Sequence, residues 1–251
     1  MRGLKRILTG LLLLALAGCA TGPTFFSESY LSDMASQQFE QLKQEKTISR
    51  DPEGNAMVRR VSSRIAETLG PEMPQAQWEY VLFEDDSANA FAMPGGKIAV
   101  FTGLLDYVET DDELAAVIGH EIAHVLLHHA NQRMSAGVIQ AAGGVAAVIL
   151  TDDMDSDDRN LILAAYGIGS QVGAILPYSR SHESQADKLG LRIAARSGFD
   201  PRAAVRFWEQ MNEANPQSLP QFLSTHPSNE TRIRDLQEEM PEALRLYEAS
   251  R

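Results

Sequence analysis

His120-Glu121-Ile122-Ala123-His124 sets two imidazoles four residues apart, with a carboxylate beside the first. On an α-helix, positions i and i+4 differ by about 40° and lie one turn apart. Both rings can then reach one ion, with Glu121 projecting close by. Catalytic zinc takes three protein ligands and keeps one position open, and a nearby carboxylate can take a proton from water there. The same five residues also occur as two histidines on an ordinary helix, so the surroundings decide. Here the run sits among Leu114, Val117, Ile118, Ile122, Val125 and Leu126, whose spacing predicts a helix over 111–132.

A third ligand is needed. The metzincin pattern places Gly and then His shortly after the motif; those positions hold Leu127 and Ala130, which excludes that subtype. Downstream, Glu183 and Asp187 stand four apart on a predicted helix over 180–196. Glu183 can bind zinc, and Asp187 on the same face can accept the N–H of a liganding histidine. An isolated Glu-x-x-x-Asp is usually a solvated helix face. Paired with an upstream HExxH it reads as a gluzincin signature, with His120, His124 and Glu183 around one Zn2+ per chain and Glu121 as general base.

These residues need a scaffold. Asp51-Pro52 is a cap-plus-proline start for a helix to about Leu69, which Gly70-Pro71 ends. An earlier helix is predicted over 26–46. The period then changes. Trp78, Tyr80 and Leu82 alternate with Glu79 and Val81 as in a strand. Asn89–Met93 and Lys97–Phe101, separated by Pro94-Gly95-Gly96, read as a hairpin. From Gly103 the spacing is helical, with further helices expected near 134–150, 159–176, 201–214 and 229–248. The class is α+β, mostly helical, with a small sheet beside the HExxH helix. The segment Ser135–Leu150 is very apolar; it reads as a buried or lid helix and is marginal as a membrane span. The acidic run 151–158 lacks the glycine and terminal glutamate of an EF-hand loop, so a solvated turn is expected.

The 251 residues can bury one sizeable core. A formal charge of −12 argues against nucleic acid as a partner. The single cysteine, Cys19, permits no intrachain disulfide. It closes a run in which Arg2, Lys5 and Arg6 precede the apolar stretch Ile7–Ala17, too short to span a bilayer. Leu16-Ala17-Gly18-Cys19 resembles the bacterial lipoprotein processing box. The expected division is a signal peptide over 1–18, a lipidated N-terminus, tether and helix over 19–48, and a metallopeptidase domain over 49–251. Acyl chains on Cys19 would hold the domain at a membrane without a spanning helix. Ala20 rather than Asp after the cysteine favours the outer membrane, by resemblance to enteric lipoproteins.

The set NAFAMPGGKIAVFTGLL, HEIAH, PYSRSHESQAD and STHPSNETRI resembles the zinc metallopeptidase family of CAAX-prenyl-protease-like enzymes, the Ste/HtpX/Oma type, over roughly residues 50–240. It is most similar to the short periplasmic, lipid-anchored branch concerned with outer-membrane quality control. The resemblance implies an endopeptidase facing the periplasm that cleaves unfolded or misassembled envelope proteins and has possible contacts with the outer-membrane assembly machinery. The alternative is a chaperone-like or scaffolding lipoprotein with a plugged or structural zinc site. The resemblance also makes the hairpin an active-site edge, with Asn89, Gly95, Gly96 and Ile98 as substrate-binding residues; the bland alternative is a structural hairpin. His226 and Arg232 match a His-Pro-x-x-x-x-Arg element; the resemblance makes both catalytic residues, either of them a donor to the developing oxyanion, with the histidine alternatively a plug of the open position. Tyr178 is another candidate donor or a core residue. His129 matches a histidine often found after the motif, while His128 and His182 read as helix-surface residues.

Overall fold

A computed structural model describes residues 22–152, 154–160, 162–163, 176–213, 222, 226 and 230–251. The predicted signal peptide, Cys19, most of the predicted helix 159–176 and the Tyr178 side chain lie outside the described residues. Helix α1 spans Glu28–Glu45 and α2 spans Pro52–Leu69. Strands β1 (Glu79–Phe83), β2 (Ala90–Met93) and β3 (Lys97–Phe101) follow. Then come α3 (Thr102–Leu105), α4 (Asp111–Leu126), α5 (His129–Leu150), α6 (Leu176–Arg196), α7 (Arg202–Glu213) and α8 (Glu230–Ala249).

The sheet order is β1-β3-β2, with β1 parallel and β2 antiparallel to β3. Gly95 and Gly96 make the β2–β3 turn with φ of 81° and 86°, a region that L side chains rarely adopt. Strand alternation divides the sheet's two faces. Leu82, Ile98 and Val100 face the main core with α2 and α4, while Val81, Phe83, Ala99 and Phe101 face Phe39 of α1. The outer edge of β1 is covered: Ser49 N–H donates to Leu82 O, and Glu84 N–H donates to Thr47 O. The other edge, β2, forms a wall of the groove described below.

Helix α4 begins in a capping box. Thr110 accepts from Glu113 N–H, and the Glu113 carboxylate accepts from Thr110 N–H. Asp111, Asp112 and Glu113 oppose the positive helix end. Leu114, Ile118 and Ile122 are almost fully buried, each contributing about 1.5–3 kcal/mol by removal from water. The predicted helix 111–132 is in fact two. It stops at Leu126, and His128 adopts a left-handed conformation (φ 56°, ψ 29°) from which α5 starts. Neither glycine nor proline marks that break. Of the acidic run expected to be a solvated turn, residues 151–152 form a turn after α5, whereas residues 156–158 already belong to a helical stretch. Helix α5 is buried only at His129, Asn131, Gln132 and Ser135; beyond these it stands largely exposed rather than buried.

Candidate metal centre

Helices α4 and α6 cross in backbone contact at Gly119 and Gly190. A Cβ on Gly190 would lie 2.7 Å from the His120 backbone, and one on Gly119 would lie 2.8 Å from Gly190 O. That closeness lets Glu183, two turns before Gly190, reach the two histidines. His120 Nε2 and His124 Nε2 are 3.0 Å apart. Glu183 lies 3.3 Å from the first through Oε2 and 3.4 Å from the second through Oε1. His226 Nδ1 comes within 3.2 Å of His120 Nε2 and 2.9 Å of Glu183 Oε2. All four residues offer ligand atoms within 4.8 Å of one another.

This donor set fits a zinc ion. Tetrahedral ligands at about 2.0–2.1 Å stand roughly 3.3 Å from one another, close to the separations found. The buried Glu121 carboxylate adds to the fit: its Oε1 has no hydrogen-bond partner among the described residues and lies 3.2 Å from His226 Nε2.

The surrounding groups set charge and orientation. Asp187 Oδ1 is 2.9 Å from His120 Nδ1 and accepts from Arg232 Nη2 at 2.6 Å. Arg232 is buried, with its guanidinium 3.5 Å from the Trp208 ring centre. Its Nη2 is also 3.2 Å from His120 Nε2, and its Nη1 is 3.5 Å from Glu183 Oε2. Burial and Arg232 pull the His120 pKa down, but Asp187 and Glu183 outweigh them and leave it at about 9. Burial, then His120, drives His124 far below the ordinary imidazole range, so it is neutral with a lone pair available. Burial raises Glu183, yet the hydrogen bonds of His120 and His226 hold it well below the usual carboxylate range. Asp187 also lies low: Arg232 and His120 prevail over burial.

Glu121, His124, Glu183 and His226 open onto a groove of about 1080 Å³ whose walls include β2 and the start of α1. Asn89 and Gly95 line it. Two expectations are corrected. Ile98 is 1% exposed and belongs to the core, because β3 is the central strand with both edges already paired. Gly96 packs against Trp78 and Ala76 instead of lining the groove. His182 is also corrected: it is buried and stacks on His129 with ring centres 3.9 Å apart. His128 is exposed, as read from sequence.

Sequence reasoning missed the aromatic backing of His120 by Trp208 and Phe222, and the α1 wall. Phe222 stands one turn before His226, a spacing that could have suggested contact; its ring centre is 4.7 Å from that of His226. Nothing in the sequence placed α1 beside the groove.

Two helices held in backbone contact, bringing a histidine pair and a glutamate to one point, define an HExxH-type metal site. Residues 52–240 match the model of peptidase family M48, and the chain belongs to that family. It is 36% identical over 196 residues to mitochondrial metalloendopeptidase OMA1 of Schizosaccharomyces pombe, covering 77% of this chain and 55% of that one. With the human metalloendopeptidase OMA1 it shares 35% identity over 186 residues, 71% of this chain and 35% of the relative. The β-barrel assembly-enhancing protease of Escherichia coli is 29% identical over 164 residues, 63% and 33% of the two chains. The chain spans about half the length, or less, of these relatives.

Proposed function

We propose that this chain is a zinc-dependent endopeptidase of the bacterial envelope, lipid-anchored through Cys19, that cleaves unfolded or misassembled envelope proteins. The observation that carries the reading is the convergence of His120, His124 and Glu183 at 3.0–3.4 Å beside the buried carboxylate of Glu121. Zinc held by these three would supply Lewis-acid polarisation of the scissile carbonyl and make water at the site more acidic. Glu121 takes the proton from that water and delivers it to the leaving amine. His226 stands where it can donate to the developing oxyanion. Arg232 serves by holding Asp187, which holds His120. Strand β2 offers an edge on which an extended chain can lie, with Asn89 and Gly95 at its ends, so the substrate must be unfolded locally. The name of the E. coli relative supports substrates or partners among the outer-membrane assembly machinery.

The test compares wild type and Glu121→Gln, expressed from Ala20 onward, for bound zinc and casein cleavage. One zinc in each, with cleavage reduced at least about 100-fold in the variant, is expected. No zinc in either protein would sink the reading. A second reading, a scaffold with a plugged site, is favoured by one observation: His226 Nδ1 lies close to both His120 and Glu183. Under it, wild type binds zinc without cleaving, and His226→Ala gains activity.

A further inference from the structure

His129 opens α5 and is fully buried. The left-handed turn at His128 folds it back onto the HExxH helix, where its Nδ1 lies 2.9 Å from Nδ1 of His124. The other nitrogen of His124 faces His120 and Glu183. An imidazole ligates a metal through an unprotonated nitrogen. If His124 presents Nε2, its hydrogen must sit on Nδ1, directed at His129. His129 can accept it only as the neutral tautomer with its own hydrogen on Nε2.

The ring is held for that task. His182 stacks on it at 3.9 Å with an interplanar angle of 11°. His182 immediately precedes Glu183, so one stack ties the α6 ligand to the partner of the α4 ligand. His182 Nε2 is 3.0 Å from Gln132 Oε1, and the Gln132 amide donates to Leu127 O beside the turn.

We infer that His129 is a positioning residue for the metal: it accepts the His124 Nδ1 hydrogen and fixes His124 in the tautomer that presents Nε2. The two histidine ligands thus have unlike orienters, the Asp187 carboxylate for His120 and a neutral imidazole for His124. A further buried carboxylate beside Glu121, Glu183 and Asp187 is avoided. The inference rests on the proposed zinc site.

Chelator competition on the metal-free protein reloaded with zinc tests it, using His129→Leu and His129→Asn. The two replacements have the same branching and number of side-chain heavy atoms, but only Asn places an acceptor near the position of Nδ1. His129→Leu should bind zinc about 10–100-fold more weakly, and His129→Asn should recover to within about threefold of wild type. Equal weakening in both variants would assign His129 to packing and overturn the inference, as would wild-type affinity in both. A measurement on unmutated protein stands apart from any folding defect. In the zinc-loaded state, ¹⁵N NMR should show His129 protonated on Nε2 alone, with coupling across the His124–His129 hydrogen bond. The opposite tautomer overturns the inference. A wild type that binds no zinc overturns the proposed site and this inference together, whereas zinc binding indifferent to His129 overturns this inference alone.

Discussion

His120 carries a proton in the metal-free protein under ordinary conditions, because Asp187 and Glu183 raise its pKa from 6.5 to about 9. A ligating nitrogen must be free of hydrogen, so metal must displace that proton. Since the folded pKa lies above the unfolded one, this charge stabilises the metal-free fold below about pH 6.5, and that stability fades as pH rises through 9. Zinc affinity should climb over the same interval. At pH 7.5, calorimetry in buffers of different ionisation heat should find close to one proton released per zinc; zero would refute the assignment. Arg232 makes a second residue-scale case. It pairs with Asp187 at 2.6 Å, and both are buried. Arg232→Leu leaves that buried carboxylate with His120 as its remaining partner and should cost about 3 kcal/mol. A melt of the metal-free protein would then fall by roughly 10 °C, and an unchanged midpoint would place Arg232 outside the structural frame. The local pattern around these residues was legible: i, i+4 spacing suggested that His120 and His124 could converge, and Glu183 and Asp187 that they share a face. The burial of His182 was not, because it depends on α5 turning back at His128, a contact that no periodicity encodes.

At the scale of elements, the site depends on how closely α4 and α6 approach. Gly190 leaves the His120 backbone no room for a methyl group. Gly190→Ala must push α6 outward, and Glu183, seven residues earlier on that helix, moves with it. Overpacking of this kind costs about 1–3 kcal/mol, and zinc affinity should fall at least about tenfold as the ligand triangle widens. Gly137 supplies the control. A Cβ there meets nothing within 4 Å, so Gly137→Ala should stabilise α5 by up to about 1 kcal/mol without touching zinc affinity. Chelator competition and denaturant melts on both variants check the contrast; equal zinc affinity in Gly190→Ala and wild type would show that the helix spacing is slack. Sequence alternation and the Pro-Gly-Gly turn announced the hairpin within a residue or two, since both signals are local. The parallel pairing of β1 with β3, which buries Ile98 and leaves β2 beside the groove, is long-range and was not announced.

Across the whole molecule, the start of the described chain is fastened to the helix that follows the site. Gly22 N–H donates to Gln132, Phe25 N–H to Ser135 and Phe26 N–H to Asn131. Those acceptors lie on α5, next to His129. Three residues of chain reach at most about 10 Å, so acyl groups on Cys19 would hold this end of the groove close to a bilayer. Helix α5 itself carries no charged residue from Met134 to Leu150 and is the one described helix long and apolar enough to cross a membrane. The two features make different demands. If lipid on Cys19 is the anchor, Cys19→Ser, exported behind a cleavable signal peptide, should move the protein into the soluble periplasmic fraction. Its purified form should keep wild-type zinc content and casein cleavage, because neither the donor set nor Glu121 involves the tether. A variant that stays with the membrane pellet after an alkaline wash would transfer the anchoring role to α5. Replacing Val138, Val145 and Ile149 on its exposed face with Ser would then be expected to release it. Retention despite both changes would leave neither feature as the anchor and would point to a partner protein in the membrane.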